Sequence, residues 1–299
     1  MSFHVLLNSY YNRINIVLKN YVSELPLKST PLVQAMEYSV LLGGKRLRPL
    51  LVYATGNMLH AKDAALDAPA AAIECMHAYS LIHDDLPAID NASVRRDQAT
   101  CHCQFGEDTA ILAGDALQTL SFSILINSIM PGVMLEKRIA MLSELAHASG
   151  VTGMCGGQML DLISERQKTT IEKLESIHQH KTGALIRLAV RLGALTAGDV
   201  GVESIPDLDQ FSDAIGLAFQ VQDDILDIAN DNKNLLKQTR SDRYAEKITY
   251  PELIGLDNSR IKIRDLYNKS LSVLEIFSNQ KYNTTMLRAL VSFIIQRDK

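Results

Sequence analysis

A chain of 299 residues with 47% hydrophobic and 21% charged side chains can bury a substantial core and is not a disordered protein. Its 30 Lys+Arg against 34 Asp+Glu leave a formal charge of -4, which gives no general basis for gripping nucleic acid, so any affinity for phosphate must be local. Four cysteines, Cys75, Cys101, Cys103 and Cys155, do not make a disulfide framework and point to a reducing compartment, the cytoplasm.

From the N-terminus onward, the first twenty residues lack a basic region followed by an apolar stretch and a cleavage site, so they do not read as a signal peptide. Apolar residues then recur at helical spacing, as in Leu112, Leu117, Leu120 and Ile124 and again in Ile177, Leu185, Leu188 and Leu192. Alternating strand-like segments are scarce. The fold class is all-α, with roughly ten or more helices at ordinary helix lengths. Boundaries are expected near Gly43-Gly44, Asp67-Ala68-Pro69, Pro131-Gly132, Gly156-Gly157, Gly198 and Pro206. No repeat or low-complexity linker divides the chain, so it reads as a single domain, 1–299.

At the end of an apolar run, HDDLPAID places Asp84 and Asp85 side by side, and Pro87 forces a break that can return Asp90 to the pair. His83 reads as a residue that packs or supports the aspartates from behind, not as a metal ligand. Cys101-His102-Cys103 has no second pair at zinc-site spacing. Ala116 to Leu135 is uncharged and long enough to span a bilayer, but Gln118, Thr119, Ser121, Ser123, Asn127, Ser128 and Pro131-Gly132 interrupt it, and it reads as a buried helix ending at Pro131-Gly132, not a membrane span. In QDDILD, Asp223 and Asp227 sit four apart, one helical turn from each other, with Asp224 beside them and apolar neighbours on both sides. Like charges so placed call for a hard cation, and carboxylates that leave positions open suit Mg²⁺ held partly through substrate phosphates. Asn230 to Lys247 is polar and reads as a mobile surface loop.

With both clusters placed, the chain resembles the trans-prenyl diphosphate synthases along essentially its whole length. The resemblance rests on GGKRLRP at Gly43-Pro49, HAYSLIHDDLPAID at His77-Asp90, Arg95-Arg96, FGEDTAILAGDAL at Phe105-Leu117 and GGQMLDL at Gly156-Leu162. It continues through HKTGALI at His180-Ile186, FQVQDDILD at Phe219-Asp227 and the basic loop before Thr249-Tyr250-Pro251. It implies a bundle of helices around a central cavity, usually a homodimer. It also implies head-to-tail condensation of isopentenyl diphosphate with dimethylallyl and then geranyl diphosphate.

The roles that the resemblance implies are these. Asp84, Asp85, Asp90, Asp223, Asp224 and Asp227 hold Mg²⁺, about three ions with substrate bound and Mn²⁺ as a substitute, to clamp the allylic diphosphate as its C–O bond ionises. Arg95, Lys181, Lys237 and Lys247 contact that diphosphate, while Lys181, Thr182 and Gln220 lie near the carbocation. Lys45, Arg48, His77 and Arg96 form the metal-free isopentenyl diphosphate pocket, where guanidinium forks suit phosphate oxygens. Tyr79, with Ser80, sets product length and resembles the pattern that stops at C15, (2E,6E)-farnesyl diphosphate.

The chain departs from the pattern at Asn91-Ala92-Ser93, at Asp97 where a glycine is usual, and at Leu236, Arg240 and Glu246 where loop glycines are usual, although Lys237, Asp242 and Lys247 remain. Slower loop closure is the expected consequence. The competing readings are a geranyl or geranylgeranyl diphosphate synthase, which differs in cavity depth alone, and a non-catalytic prenyl-diphosphate-binding subunit. A terpene cyclase has no use for a second diphosphate pocket, and a structural helical protein has none for six aspartates beside apolar walls.

Overall fold

The computed structural model describes residues 3–164, 169–234 and 248–295. The protein is all-α, as expected, and its contacts divide it into two compact units, one comprising Met1–Leu145 with Leu192–Gly201 and the other Ala146–Arg191 with Val202–Lys299.

The first unit holds α1 (Phe3–Ser23), α2 (Pro31–Leu41), α3 (Leu47–Met58), α4 (Asp63–Asp84), the short α5 (Cys101–Phe105), α6 (Glu107–Asn127) and most of α7 (Leu135–Ser149). Its centre is α4, whose Ala65, Ala68, Ala70, Ala71 and Ala72 let α3 and α6 pack closely against it, with Leu66, Ile73 and Met76 filling the gaps. Gly56 on α3 belongs to the same packing, since a Cβ there would strike Leu66. Pro69 lies inside α4 and does not end it. A proline in a helix interior costs about 3 kcal/mol, and burial of the surrounding alanine and leucine side chains on two neighbouring helices outweighs that cost.

A buried ion pair fixes the entry to α3. Arg46, at φ 51°, donates from Nη1 to Glu74 Oε1 at 2.6 Å, from Nη2 to the Val40 carbonyl at 2.7 Å and from Nε to Asn15 Oδ1 at 3.1 Å. Next to α5, Val94–Arg95 and Gln98–Ala99 form a two-stranded antiparallel hairpin that the all-helical reading did not anticipate. Its turn residues, Arg96 and Asp97, have φ of 54° and 60°. Both central residues of a type I′ turn need positive φ, and Asp is one of the few residues besides glycine that adopt it readily. Asp97 therefore stands in for the missing glycine without losing the turn.

The buried helix expected to end at Pro131-Gly132 is corrected. α6 ends at Asn127, where Ser128 turns extended (φ -73°, ψ 149°), and residues 128–134 lead into α7. One face of α6 is buried through Leu117, Ser121, Ile124 and Leu125, while Leu112, Ile126, Ile129, Met134, Leu135 and Ile139 are exposed. α6 is the single described helix long and apolar enough to cross a membrane, and only 39% of that stretch is buried.

The second unit holds α8 (Met154–Ser164), α9 (Ile171–His178), a π-helical turn (Gln179–Gly183), the first part of α10 (Ala184–Thr196), most of α11 (Asp199–Asn234), α12 (Tyr250–Ile254), α13 (Leu256–Asn279) and α14 (Thr285–Ile295). Leu174, Leu217, Ala218, Val221, Tyr250 and Ile263 share one apolar cluster. One expected boundary is corrected here. Pro206 lies inside α11, which is held through that point by buried Leu208 and Phe211 and by the bond of Arg191 Nε to Asp209 Oδ1 at 2.8 Å. The boundary expected near Gly156-Gly157 falls at Met154, where α8 starts, and Gly157 is there because a Cβ would collide with the backbone of His180 and Lys181. The helical reading extends through Asn234 into the expected loop; residues 235–247, with Leu236, Lys237, Arg240, Asp242, Glu246 and Lys247, lie outside the described residues.

Candidate active site

The first aspartate cluster forms where α4 stops. Asp85 caps the helix, and the chain folds back so that the Asp90 N–H donates to the Asp84 carbonyl at 2.9 Å and the Ala92 N–H to the Asp85 carbonyl at 3.2 Å. The break at Pro87 thus returns the backbone of Asp90 to the pair, as the spacing predicts. From the hairpin, Arg95 grips Asp85 with a two-point fork, Nε at 2.8 Å from Oδ2 and Nη2 at 2.6 Å from Oδ1, and its Nη2 lies 3.9 Å from Asp84 Oδ2. Asp85 is 3% exposed, whereas Asp84 and Asp90 are partly exposed. Desolvating a carboxylate is tolerable only with such a partner, and the guanidinium fork supplies it.

Behind this cluster on α4, the Tyr79 ring meets His83 edge-on with centroids 4.9 Å apart, and His83 Nε2 lies 3.0 Å from the Ile111 carbonyl of α6. Gly114 makes room for that imidazole, since a Cβ there would collide with it. His83 is a packing residue, as expected. Ser80 spends its hydroxyl on the His77 carbonyl at 2.8 Å.

The basic residues of the first unit gather around the glycine turn. Gly43 and Gly44 have φ of 91° and 106°, and the Arg96 guanidinium lies over Gly44 and donates to the Gly43 carbonyl. Arg48 Nη1 is 3.3 Å from His77 Nε2. Burial, then the charges of Arg48, Arg96, Arg95 and Arg46, push His77 well below the ordinary histidine range, so it is neutral. Lys45 lies in the same turn and is exposed. Arg46 alone of the GGKR segment faces inward.

In the second unit, the π turn carries Lys181 and Thr182. A π turn inside a helical run often marks a functional site, and glycines on two neighbouring helices let them approach this one closely: Gly157 of α8 beneath Lys181, and Gly216 of α11, whose Cβ would lie 3.2 Å from the Gly183 Cα. Thr182 Oγ1 donates to Gln220 Oε1 at 2.8 Å, and Lys181 Nζ reaches Asp161 Oδ2 at 2.7 Å. The α9–α10 run and α11 lie antiparallel, and polar pairs recur along them: His178 with Asp224, Thr182 with Gln220, Arg187 with Asp213 and Arg191 with Asp209.

The second cluster shows the same division of labour as the first. Asp224 is 7% exposed, and its Oδ2 receives the Tyr250 N–H at 2.9 Å and His178 Nε2 at 3.3 Å; Asp223 is partly exposed and Asp227 exposed. Tyr250 is fully buried, its ring stacked over His178 and its hydroxyl bonded to Glu175, which also takes Lys262 Nζ at 2.7 Å. Burial and the Glu175 carboxylate raise the Tyr250 phenol far above its ordinary value. Burial opposes ionisation of Glu175, but the bonds from Lys262 and Tyr250 outweigh it and hold that carboxyl below its ordinary range.

Asp161, His178, Glu175 and Tyr250 are contributors that sequence reading missed. The lone carboxylate in GGQMLDL was a usable signal for Asp161; the others had none, because their partners are 26 to 87 residues away. Among the described residues, no three His, Cys, Asp or Glu side chains converge into a metal site by themselves. The donors present are hard carboxylate oxygens, each doublet backed by one locked member, which fits a cation that takes its other ligands from phosphate and water.

A family model for polyprenyl synthetases matches residues 29–282. The farnesyl diphosphate synthase of Escherichia coli (strain K12) is 54% identical over 299 residues, the full length of both chains. That of Buchnera aphidicola subsp. Schizaphis graminum is 50% identical, again over all of both chains. Among solved structures, the geranyltransferase from Legionella pneumophila is similar with a TM-score of 0.87 and 33% identity, over 99% of this chain and 97% of that one.

Proposed function

Since the chain belongs to the polyprenyl synthetase family, we propose that residues 1–299 act as one catalytic domain that condenses isopentenyl diphosphate with dimethylallyl and then geranyl diphosphate. It is a prenyltransferase of isoprenoid biosynthesis, and its product is farnesyl diphosphate. The observation that carries the reading is the shared design of the two Asp-Asp pairs, one carboxylate buried and locked, its neighbour partly exposed.

On this reading Asp84, Asp90, Asp223 and Asp227 hold Mg²⁺, with Asp85 and Asp224 in support. Bound Mg²⁺ neutralises the charge that grows on diphosphate as it leaves. Arg95 and Lys181 start out paired with Asp85 and Asp161 and add donors to the same phosphate oxygens. Thr182 and Gln220 hold a neutral polar wall that stabilises an allylic cation without capturing it. Arg48, Arg96 and Lys45 bind isopentenyl diphosphate, and neutral His77 adds no charge to that cationic pocket. The proton lost after C–C bond formation leaves with diphosphate, so no side-chain nucleophile is used. Lys237 and Lys247, assigned to the allylic diphosphate, lie outside the described residues.

Product length tests the reading. With Mg²⁺, isopentenyl diphosphate and dimethylallyl diphosphate, chromatography of the hydrolysed products should give C15. Tyr79 sits five residues before Asp84, about 7.5 Å along the helix, and its ring is braced by His83. Tyr79→Ala should lengthen the products toward C20, and an unchanged product spectrum would remove Tyr79 as the floor.

Exposed Leu112, Ile126, Ile129, Met134 and Leu135 on α6, α7 and their connection support a homodimer that covers this apolar face. Light scattering should give a dimer mass for the native chain and a monomer mass for Leu112→Glu combined with Ile126→Glu. A monomeric native chain would refute the assignment. The four free cysteines agree with a cytoplasmic enzyme.

A further inference from the structure

We infer that His178 and Tyr250 are positioning residues for the second aspartate cluster, holding Asp224 so that the cluster meets Mg²⁺-diphosphate preformed. The inference rests on the proposed role of Asp223 and its neighbours in binding metal. Its own basis is the surroundings of Asp224.

Asp224 is buried on α11, and two donors from different parts of the second unit converge on a single oxygen, Oδ2: the peptide N–H of Tyr250 and Nε2 of His178. A carboxylate is an acceptor only, so Nε2 must carry the imidazole proton. Neither bond uses Oδ1. Both donors thus hold the carboxylate through the same oxygen.

The two donors are themselves held. The Tyr250 ring stacks on His178 with centroids 6.4 Å apart and planes 17° from parallel, and its hydroxyl ends on Glu175, which Lys262 also engages. Its N–H is presented at the start of α12, where Glu252 Oε2 accepts the preceding Thr249 N–H at 2.8 Å. His178 closes α9, one residue before the π turn that carries Lys181 and Thr182. The second cluster is thus tied through His178 to the segment that carries the residues assigned to the carbocation. Groups that orient metal ligands from behind typically change metal affinity or activity by about 10–100-fold when removed.

The test uses the full-length protein and four variants. Binding of geranyl diphosphate in the presence of Mg²⁺ is followed by titration calorimetry without isopentenyl diphosphate, alongside the unfolding temperature without ligand and the Mg²⁺ dependence of kcat. His178→Leu should weaken Mg²⁺-dependent binding by about 10-fold or more and raise the Mg²⁺ concentration needed for half-maximal kcat. His178→Gln, whose amide can still donate to Oδ2, should recover most of the affinity and serves if the leucine variant does not fold. Tyr250→Phe keeps the N–H but releases Glu175, and should fall between the two. Asp223→Asn is the control for the underlying reading. If Asp223→Asn loses binding while His178→Leu and His178→Gln both bind like the native chain, the positioning role is wrong and the metal reading stands. A lower unfolding temperature with unchanged Mg²⁺-dependent binding would likewise reduce His178 to a structural residue. If Asp223→Asn also binds like the native chain, the metal reading itself fails.

Discussion

Alanine at Asp84 or at Asp223 is expected to reduce turnover by about 10²–10³-fold, the usual effect of removing one preorganised group that meets developing charge. Both carboxylates are partly exposed at their clusters, next to a member that the protein has already locked, Asp85 by Arg95 and Asp224 by Tyr250 and His178. Their loss should therefore leave folding nearly intact while removing an oxygen from the metal. Circular dichroism and unfolding temperature should stay close to the native values as kcat collapses, and extra Mg²⁺ should restore only part of it. Asp85→Ala should behave differently. It leaves Arg95 without its carboxylate and so should lower stability as well as turnover. Near-native turnover in both Asp84→Ala and Asp223→Ala would overturn the assignment of these clusters to the diphosphate.

The second large effect concerns stability. Arg46→Met should destabilise the protein by about 3–5 kcal/mol, because truncating one partner of a buried ion pair leaves the other charge uncompensated. Arg46 is 3% exposed, Glu74 is equally buried, and Glu74 Oε2 already lacks a hydrogen bond among the described residues. In a chain of this size the unfolding temperature should fall on the order of 10 °C. The double variant Arg46→Met with Glu74→Leu should recover most of the loss, since an apolar pair of similar volume often replaces a buried ion pair at little cost. A single variant as stable as the native chain in urea titration would show that Glu74 finds another partner or protonates freely.

Helix content was legible in the sequence because apolar residues recur at helical spacing, and the aspartate clusters were legible because the acidic residues are local. The return of Asp90 to Asp84 was legible through Pro87 for the same reason. Boundaries were less so. Pro69 and Pro206 signal breaks by local rules, yet both lie within helices whose buried neighbours keep them continuous. Gly156-Gly157 marks the start of α8 to within two residues, but that Gly157 is also a gap into which another backbone fits was not visible in any local pattern. Partnerships were the least visible. Nothing near Arg46 in sequence indicates Glu74, and nothing near Asp224 indicates Tyr250, since both arise when distant elements pack. The exposed side of α6 was misjudged because apolar character alone does not say which surface meets it.

The π turn has a further consequence, one of phase. Each helical residue advances about 100° around the axis, so the extra residue in this turn rotates everything before it relative to everything after it by that amount. His178 precedes the turn and meets Asp224, while Thr182, Arg187 and Arg191 meet Gln220, Asp213 and Asp209 on the same partner helix. Deleting Gln179 would keep every assigned side chain in the chain and still turn His178 off that common line. The enzyme's chemistry therefore depends on a count of residues as well as on their identities.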